Sequence, residues 1–120
     1  MELKKKILII EDDESSRESL DLLFKEKGFD TISTDDGSKG LKLMKTVNPD
    51  LIITDNRLPN INGIELACIN ESFNKKIPII LMSGFDDVLE FIENLNVVAF
   101  IKKPIDVKLL LFYVNQALKS

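Results

Sequence analysis

The chain has 120 residues, 44% hydrophobic and 30% charged, which suits one globular domain and is too apolar for a disordered segment. Its 20 acidic and 16 basic side chains leave a formal charge of −4, which argues against direct nucleic-acid binding, since that normally needs a basic face. With no histidine and the single Cys68, Ser–His–Asp and Cys–His catalysis, the usual zinc sites and a disulfide framework all drop out.

The chain opens on MELKKKILIIEDD, basic then apolar, but acids follow at once without a small-residue cleavage site, so it does not read as a signal peptide. No apolar run approaches the ~20 residues of a membrane span. Residues 7–10 (ILII) form the first predicted strand. A helix follows to Lys27, with Ser15 or Ser16 as its candidate cap, Leu20, Leu23 and Phe24 inward and Gly28 as its stop. Residues 30–34 are a weaker strand of mixed polarity, suited to a sheet edge. A second helix spans 38–47 and closes at Asn48-Pro49. Then come a strand at 51–54 (LIIT), a helix at 63–73, a strand at 78–82 (PIILM), a helix at 86–95, a strand at 97–101 (VVAFI) and a last helix at 106–119.

None of the four strong strands alternates apolar with polar, so each reads as buried on both faces of a parallel sheet. Strands alternating with helices predict a doubly wound (βα)5 α/β sandwich of three layers with right-handed crossovers. No repeat or linker interrupts residues 1–120, so a single domain without an output domain is expected.

The informative residues follow the strands. Glu11, Asp12 and Asp13 follow the first, Asp55 the third and Ser83 the fourth, and Lys102, Lys103 and Pro104 the fifth. In an open parallel sheet, ligands bind outside the carboxyl ends of strands, where the strand order reverses. With the order 2-1-3-4-5 that reversal lies between strands 1 and 3, and Glu11, Asp12 and Asp55 converge there, flanked by Ser83 and Lys103. Three carboxylates so close repel one another, and a hard divalent cation such as Mg2+ (or Mn2+) is the economical remedy. With the hydroxyl and the lysine, the set has the parts of a phosphoryl-transfer site. Asp13 and Glu14 read as helix-cap or solvated loop residues.

The motifs ILIIEDDE, DLIITDNRLPNINGIEL, PIILMSG and AFIKKP, in this order and spacing, resemble the response-regulator receiver domains of two-component signalling, the CheY-like superfamily with a flavodoxin-like fold, over nearly the whole chain. The resemblance implies that Asp55 is the phosphoacceptor, Asp12 a direct Mg2+ ligand, Glu11 a ligand through water, and Arg57 a ligand through its backbone carbonyl. It also implies that Ser83 is the switch hydroxyl, Lys103 the phosphoryl clamp on a cis Lys-Pro bond, and Phe100 the aromatic that changes rotamer. Its donor would be a sensor histidine kinase or a histidine phosphotransfer protein. Its location would be cytoplasmic, without membrane contact, and its readout surface the face of the fourth helix, fifth strand and fifth helix.

Some features depart from the family pattern. Asn96-Val97 replaces Gly-Ala; Asn tolerates a left-handed backbone, and Val97 is expected to crowd the phosphoryl pocket. Arg57 and Phe85 are large at positions that tune phosphoryl lifetime. In the last helix Val107, Leu110, Leu111, Val114 and Leu118 form the expected core stripe, while Leu109, Phe112 and Tyr113 project to the other side as a candidate interface for a homodimer or effector. Gly37-Ser38-Lys39-Gly40 reads as a turn and helix start, not a phosphate loop, and Cys68 as a small core or boundary residue. Three other readings compete. A flavodoxin-like electron carrier would need a glycine- and hydroxyl-rich loop where Glu11–Glu14 stand. An aspartyl-phosphate hydrolase of the dehalogenase type would need D-x-D after the first strand. An inert pseudo-receiver would have lost the acidic pair, Asp55, Ser83 or Lys103.

Overall fold

In the computed structural model, which describes residues 3–84 and 95–119, the apolar runs form a five-stranded parallel sheet. Its strands are β1 (Lys6–Ile10), β2 (Asp30–Thr34), β3 (Leu51–Asp55), β4 (Ile79–Ser83) and β5 (Val97–Lys102), in the order β2-β1-β3-β4-β5. The helices described are α1 (Glu14–Glu26), α2 (Gly37–Thr46), α3 (Gly63–Asn70) and α4 (Val107–Leu118). The helix predicted at 86–95 falls almost entirely outside the described residues, as does Phe85.

Strand periodicity sorts the core into two layers. Ile7, Ile9, Leu51, Ile53, Ile80, Met82 and Ile101 face α1 and α4, where Leu20, Phe24, Leu110 and Val114 meet them. Leu8, Ile10, Ile52 and Ile79 face α2 and α3, against Met44, Leu66 and Ala67. Both faces of β1, β3 and β4 are therefore dry, which is why these strands read as unbroken apolar runs. Each Ile or Leu so buried contributes about 1.5–3 kcal/mol. β2 lies at the edge and keeps its mixed polarity.

Helix ends follow side-chain chemistry more than periodicity. Asp13, rather than Ser15 or Ser16, caps α1: its carboxylate accepts from the Ser16 N–H at 2.9 Å, and its charge suits the helix N-terminus. Gly28 takes φ +92° just past the end of α1, where a side chain would be strained. Asp36 and Asp106 cap α2 and α4. α3 stops at Asn70, three residues short of the predicted end, because that side chain turns away to a loop. The buried amide donates to the Ile77 carbonyl (2.8 Å) and accepts from the Ile77 N–H (3.1 Å), pinning the α3–β4 connection.

Four sequence expectations change. Val107 is 46% exposed and lies outside the core stripe of α4. Cys68 is exposed, because α3 buries Leu66, Ala67 and Asn70 and turns the next position outward. Val97 pairs with Ile79 at the start of β5, the end of the sheet remote from Lys103, and packs against the α2–α3 layer, so it does not crowd the pocket. Neither does Asn96 use a left-handed backbone; among the described residues the non-glycine positions with positive φ are Asn48 and Asn60.

Asn70→Ala leaves two buried backbone groups of Ile77 without partners. It is expected to lower unfolding free energy by about 2–3 kcal/mol in urea titrations, whereas Asn74→Ala at an exposed turn is expected to stay within about 0.5 kcal/mol.

Candidate functional site

The registers bring four strands to a common edge. Ile10 lies beside Thr54, Asp55 beside Met82, and Ser83 beside Lys102, so the residues that end or follow β1, β3, β4 and β5 gather at one end of the sheet. Glu11 continues β1, its N–H donating to the Thr34 carbonyl at 3.0 Å, and is 1% exposed. Asp55 is the last residue of β3 and 7% exposed. Asp12 is exposed at the mouth. One carboxylate oxygen from each of the three lies within 4.8 Å of the others.

Lys103 enters this cluster from β5. Its Nζ donates to Glu11 Oε1 at 2.9 Å and to Asp55 Oδ2 at 3.0 Å. Its backbone is registered by its N–H to the Ser83 carbonyl at 2.8 Å, and the Lys103–Pro104 bond is cis. Burial disfavours the charged ammonium, but hydrogen bonds and charge from Glu11 and Asp55 outweigh it and hold the Lys103 pKa above the ordinary lysine value. Two carboxylates buried this deeply cost several kcal/mol each without such a partner. The Arg17 guanidinium donates to the Glu11 carbonyl (3.0 Å), and the Asp13 N–H donates to Glu11 Oε2 (3.3 Å), so Glu11 is oriented from both ends. Hydrogen bonds from the Ser16 backbone N–H and hydroxyl keep the Asp13 pKa below the usual carboxylate value, and Asp13 is occupied as a cap.

Ser83 ends β4 and is 1% exposed. Phe100 sits beside Leu81, half-buried. Arg57 is exposed on the β3–α3 loop, two residues beyond Asp55. That loop starts against Asp55 itself: a Cβ on Gly63 would lie 2.7 Å from the Asp55 carbonyl oxygen, so only glycine lets α3 begin this close. The Asn56 side chain, which sequence reasoning passed over, accepts from the Ile64 N–H at 3.0 Å and ties the loop's start to α3.

The donor set is all oxygen, anionic and clustered, which suits a hard divalent cation and no soft metal. Among the described residues, Glu11, Asp12 and Asp55 are the side chains positioned to hold it. Beside the cluster a cavity of about 490 Å³ runs between α1 and the β5–α4 connection, with Ser15, Ser16 and Ser19 on its rim and Leu20, Met82 and Ile105 among its lining. On α4, Leu109 and Phe112 are 40% and 55% exposed. Tyr113 departs from the expected outward trio: it is half-buried against the α1–α4 core, edge-on to Phe112 at 5.6 Å.

Among curated proteins, the chain is 29% identical over 119 residues to the DNA-binding response regulator MtrA of Mycolicibacterium smegmatis, covering 98% of this chain and 52% of that protein. It is 32% identical over 116 residues to the regulatory protein AtoC of Escherichia coli (95% and 25%). It is also 32% identical over 113 residues to the CAI-1 autoinducer sensor kinase/phosphatase CqsS of Vibrio cholerae (90% and 16%). The chain thus spans about half or less of these relatives. Among solved structures, the Francisella response regulator 1452 receiver domain superposes with a TM-score of 0.89 at 29% identity, covering 97% of this chain and 98% of that one. The family model for the response regulator receiver domain matches residues 7–115. Sheet order, strand-end cluster and this match agree, and the chain belongs to the response regulator receiver domain family of two-component signalling.

Proposed function

We propose that the chain is a single phosphoacceptor receiver domain that takes a phosphoryl group from a phosphohistidine donor onto Asp55 and releases it by hydrolysis. The observation that carries this reading is the Lys103 ammonium bridging Glu11 and Asp55 beside the exposed carboxylate of Asp12. A carboxylate oxygen of Asp55 attacks phosphorus; the P–O bond forms as the donor's N–P bond breaks, and the imidazole leaves with its electron pair. Bound by Glu11, Asp12, Asp55 and the Arg57 carbonyl, Mg2+ (or Mn2+) would offset the charge of the carboxylates and the incoming phosphoryl oxygens. Lys103 ion-pairs with the phosphoryl group, and the Ser83 hydroxyl donates to one of its oxygens. Drawing Ser83 inward leaves room that Phe100 turns to fill, which biases the face built on β5 and α4.

The domain modifies itself and turns over no metabolite. Its donor is a sensor histidine kinase or histidine phosphotransfer protein, since the chain has no histidine of its own to carry the group. It acts in the cytoplasm, through protein contacts and without binding nucleic acid itself. Among the described residues no helix is long and apolar enough to cross a membrane.

Incubation with acetyl phosphate and Mg2+ should add one phosphoryl group by intact mass, and chelation with EDTA or Asp55→Asn should abolish the adduct. A wild-type chain that gains no adduct would leave the inert pseudo-receiver as the better reading. For output, Leu109 and Phe112 mark the contact surface on α4. Leu109→Glu combined with Phe112→Glu should keep phosphorylation and lose self-association or partner binding, measured by sedimentation and pull-down with the donor-activated chain. If both are unchanged, α4 does not carry output.

A further inference from the structure

The β3–α3 loop, residues 56–62, leaves Asp55 and returns to α3 over an exposed course, yet it is fastened to a different element, α2. The Asn60 side-chain amide donates to Asp36 Oδ2 at 2.7 Å across 24 residues of sequence. The neighbouring Pro59 carbonyl accepts from the Gly37 N–H at 3.1 Å. Gly37 lies so close that a Cβ would run into the Ile61 carbonyl oxygen, so α2 can begin here only with glycine. Asn60 itself adopts φ +70°, which asparagine tolerates better than most residues.

Asp36 has two oxygens with separate tasks. Oδ1 accepts from the Ser38 N–H (2.6 Å), the Ser38 hydroxyl (2.6 Å) and the Lys39 N–H (3.3 Å), which caps α2. Oδ2 is left for Asn60. The hydrogen bond from the Ser38 hydroxyl, helped by the backbone bonds and Asn60, lowers the Asp36 pKa to about 2, so the carboxylate remains a full acceptor near neutral pH. An ordinary cap needs only the first set of bonds; the bond to Asn60 reaches beyond the helix.

We infer that Asp36 and Asn60 form a clamp that positions the β3–α3 loop, and with it the Arg57 backbone carbonyl, for cation binding at the Glu11–Asp12–Asp55 cluster. Neither residue touches the ion; both are positioning residues. The inference rests on the proposed cation site, and it adds what sets that site's affinity. Groups that orient metal ligands commonly tune affinity 10- to 100-fold, and a loop held at Gly63, Asn56 and Asn60 has lost much of the freedom it would otherwise give up on binding.

Asn60→Asp tests this. It preserves shape and tolerance of positive φ but sets a carboxylate against that of Asp36. Adding Asp36→Asn restores a donor–acceptor pair with the roles exchanged and the net charge of the original chain. Titration calorimetry with Mg2+ should show affinity weakened about tenfold in Asn60→Asp and restored to within about twofold in the double variant. Hydrogen exchange of residues 56–62 in metal-free protein should rise and fall in parallel. Unchanged or tighter Mg2+ binding in Asn60→Asp would overturn the clamp, as would a double variant that recovers thermal stability but not affinity. If the unmodified chain binds no Mg2+ at all, the cation site itself fails, and the clamp's proposed purpose with it.

Discussion

Everything at the carboxyl edge of the sheet follows from one electrostatic constraint. Glu11 and Asp55 are almost wholly buried, Asp12 stands beside them, and the ammonium of Lys103 is hydrogen-bonded to both buried acids at about 3 Å. Buried carboxylates at this spacing are tolerable only with a cation among them. Lys103 meets that need in part. The charge left over, with an exposed acid at the mouth, is a standing preference for a second cation, and a phosphorylated Asp55 would deepen it.

The fold makes the constraint unavoidable. A sheet with helices on both faces has to bury its inner strands on both sides, and those strands are open only at their ends. Five parallel strands bring residues distant in sequence to one such end: Glu11 and Lys103 are 92 positions apart and in hydrogen-bond contact. The apolar strands therefore do more than fill a core. Their register decides which polar residue stands next to which, and a one-residue slip of β1 or β5 would turn Glu11 or Lys103 away from Asp55.

Strand content, helix–strand alternation and the residues at strand ends could be read from the amino acids, because burial on both faces leaves unbroken apolar runs and the first polar residue after each run is conspicuous. Glu11, Asp55 and Ser83 are visible in that way, whereas Lys103 stands second after its run, behind Lys102, and is marked out by its place directly before Pro104 in the family pattern. Features that depend on one side chain meeting a remote backbone are not visible in the sequence. Asn70 looks like any polar helix residue until its partner, the Ile77 peptide, is known. Asp36 looks like a cap, and only the folded loop brings Asn60 to its second oxygen. Val97 is close to Lys103 in sequence but not in space: at about 3.3 Å per residue, the six positions between them span β5 from one end of the sheet to the other. Cys68 and Tyr113 erred by a fraction of a helical turn, which periodicity alone resolves poorly. The family match covers these positions without speaking to their contacts.

On the proposed function, Asp55, not Glu11 or Asp12, is the carboxylate that takes the phosphoryl group. An acyl phosphate is reduced by borohydride to the corresponding alcohol, which marks the residue permanently. Reduction of the acetyl-phosphate-treated chain followed by peptide mass spectrometry should place homoserine at position 55. A reduced side chain at position 11 or 12 instead, or an adduct that yields no homoserine at 55, would contradict the account.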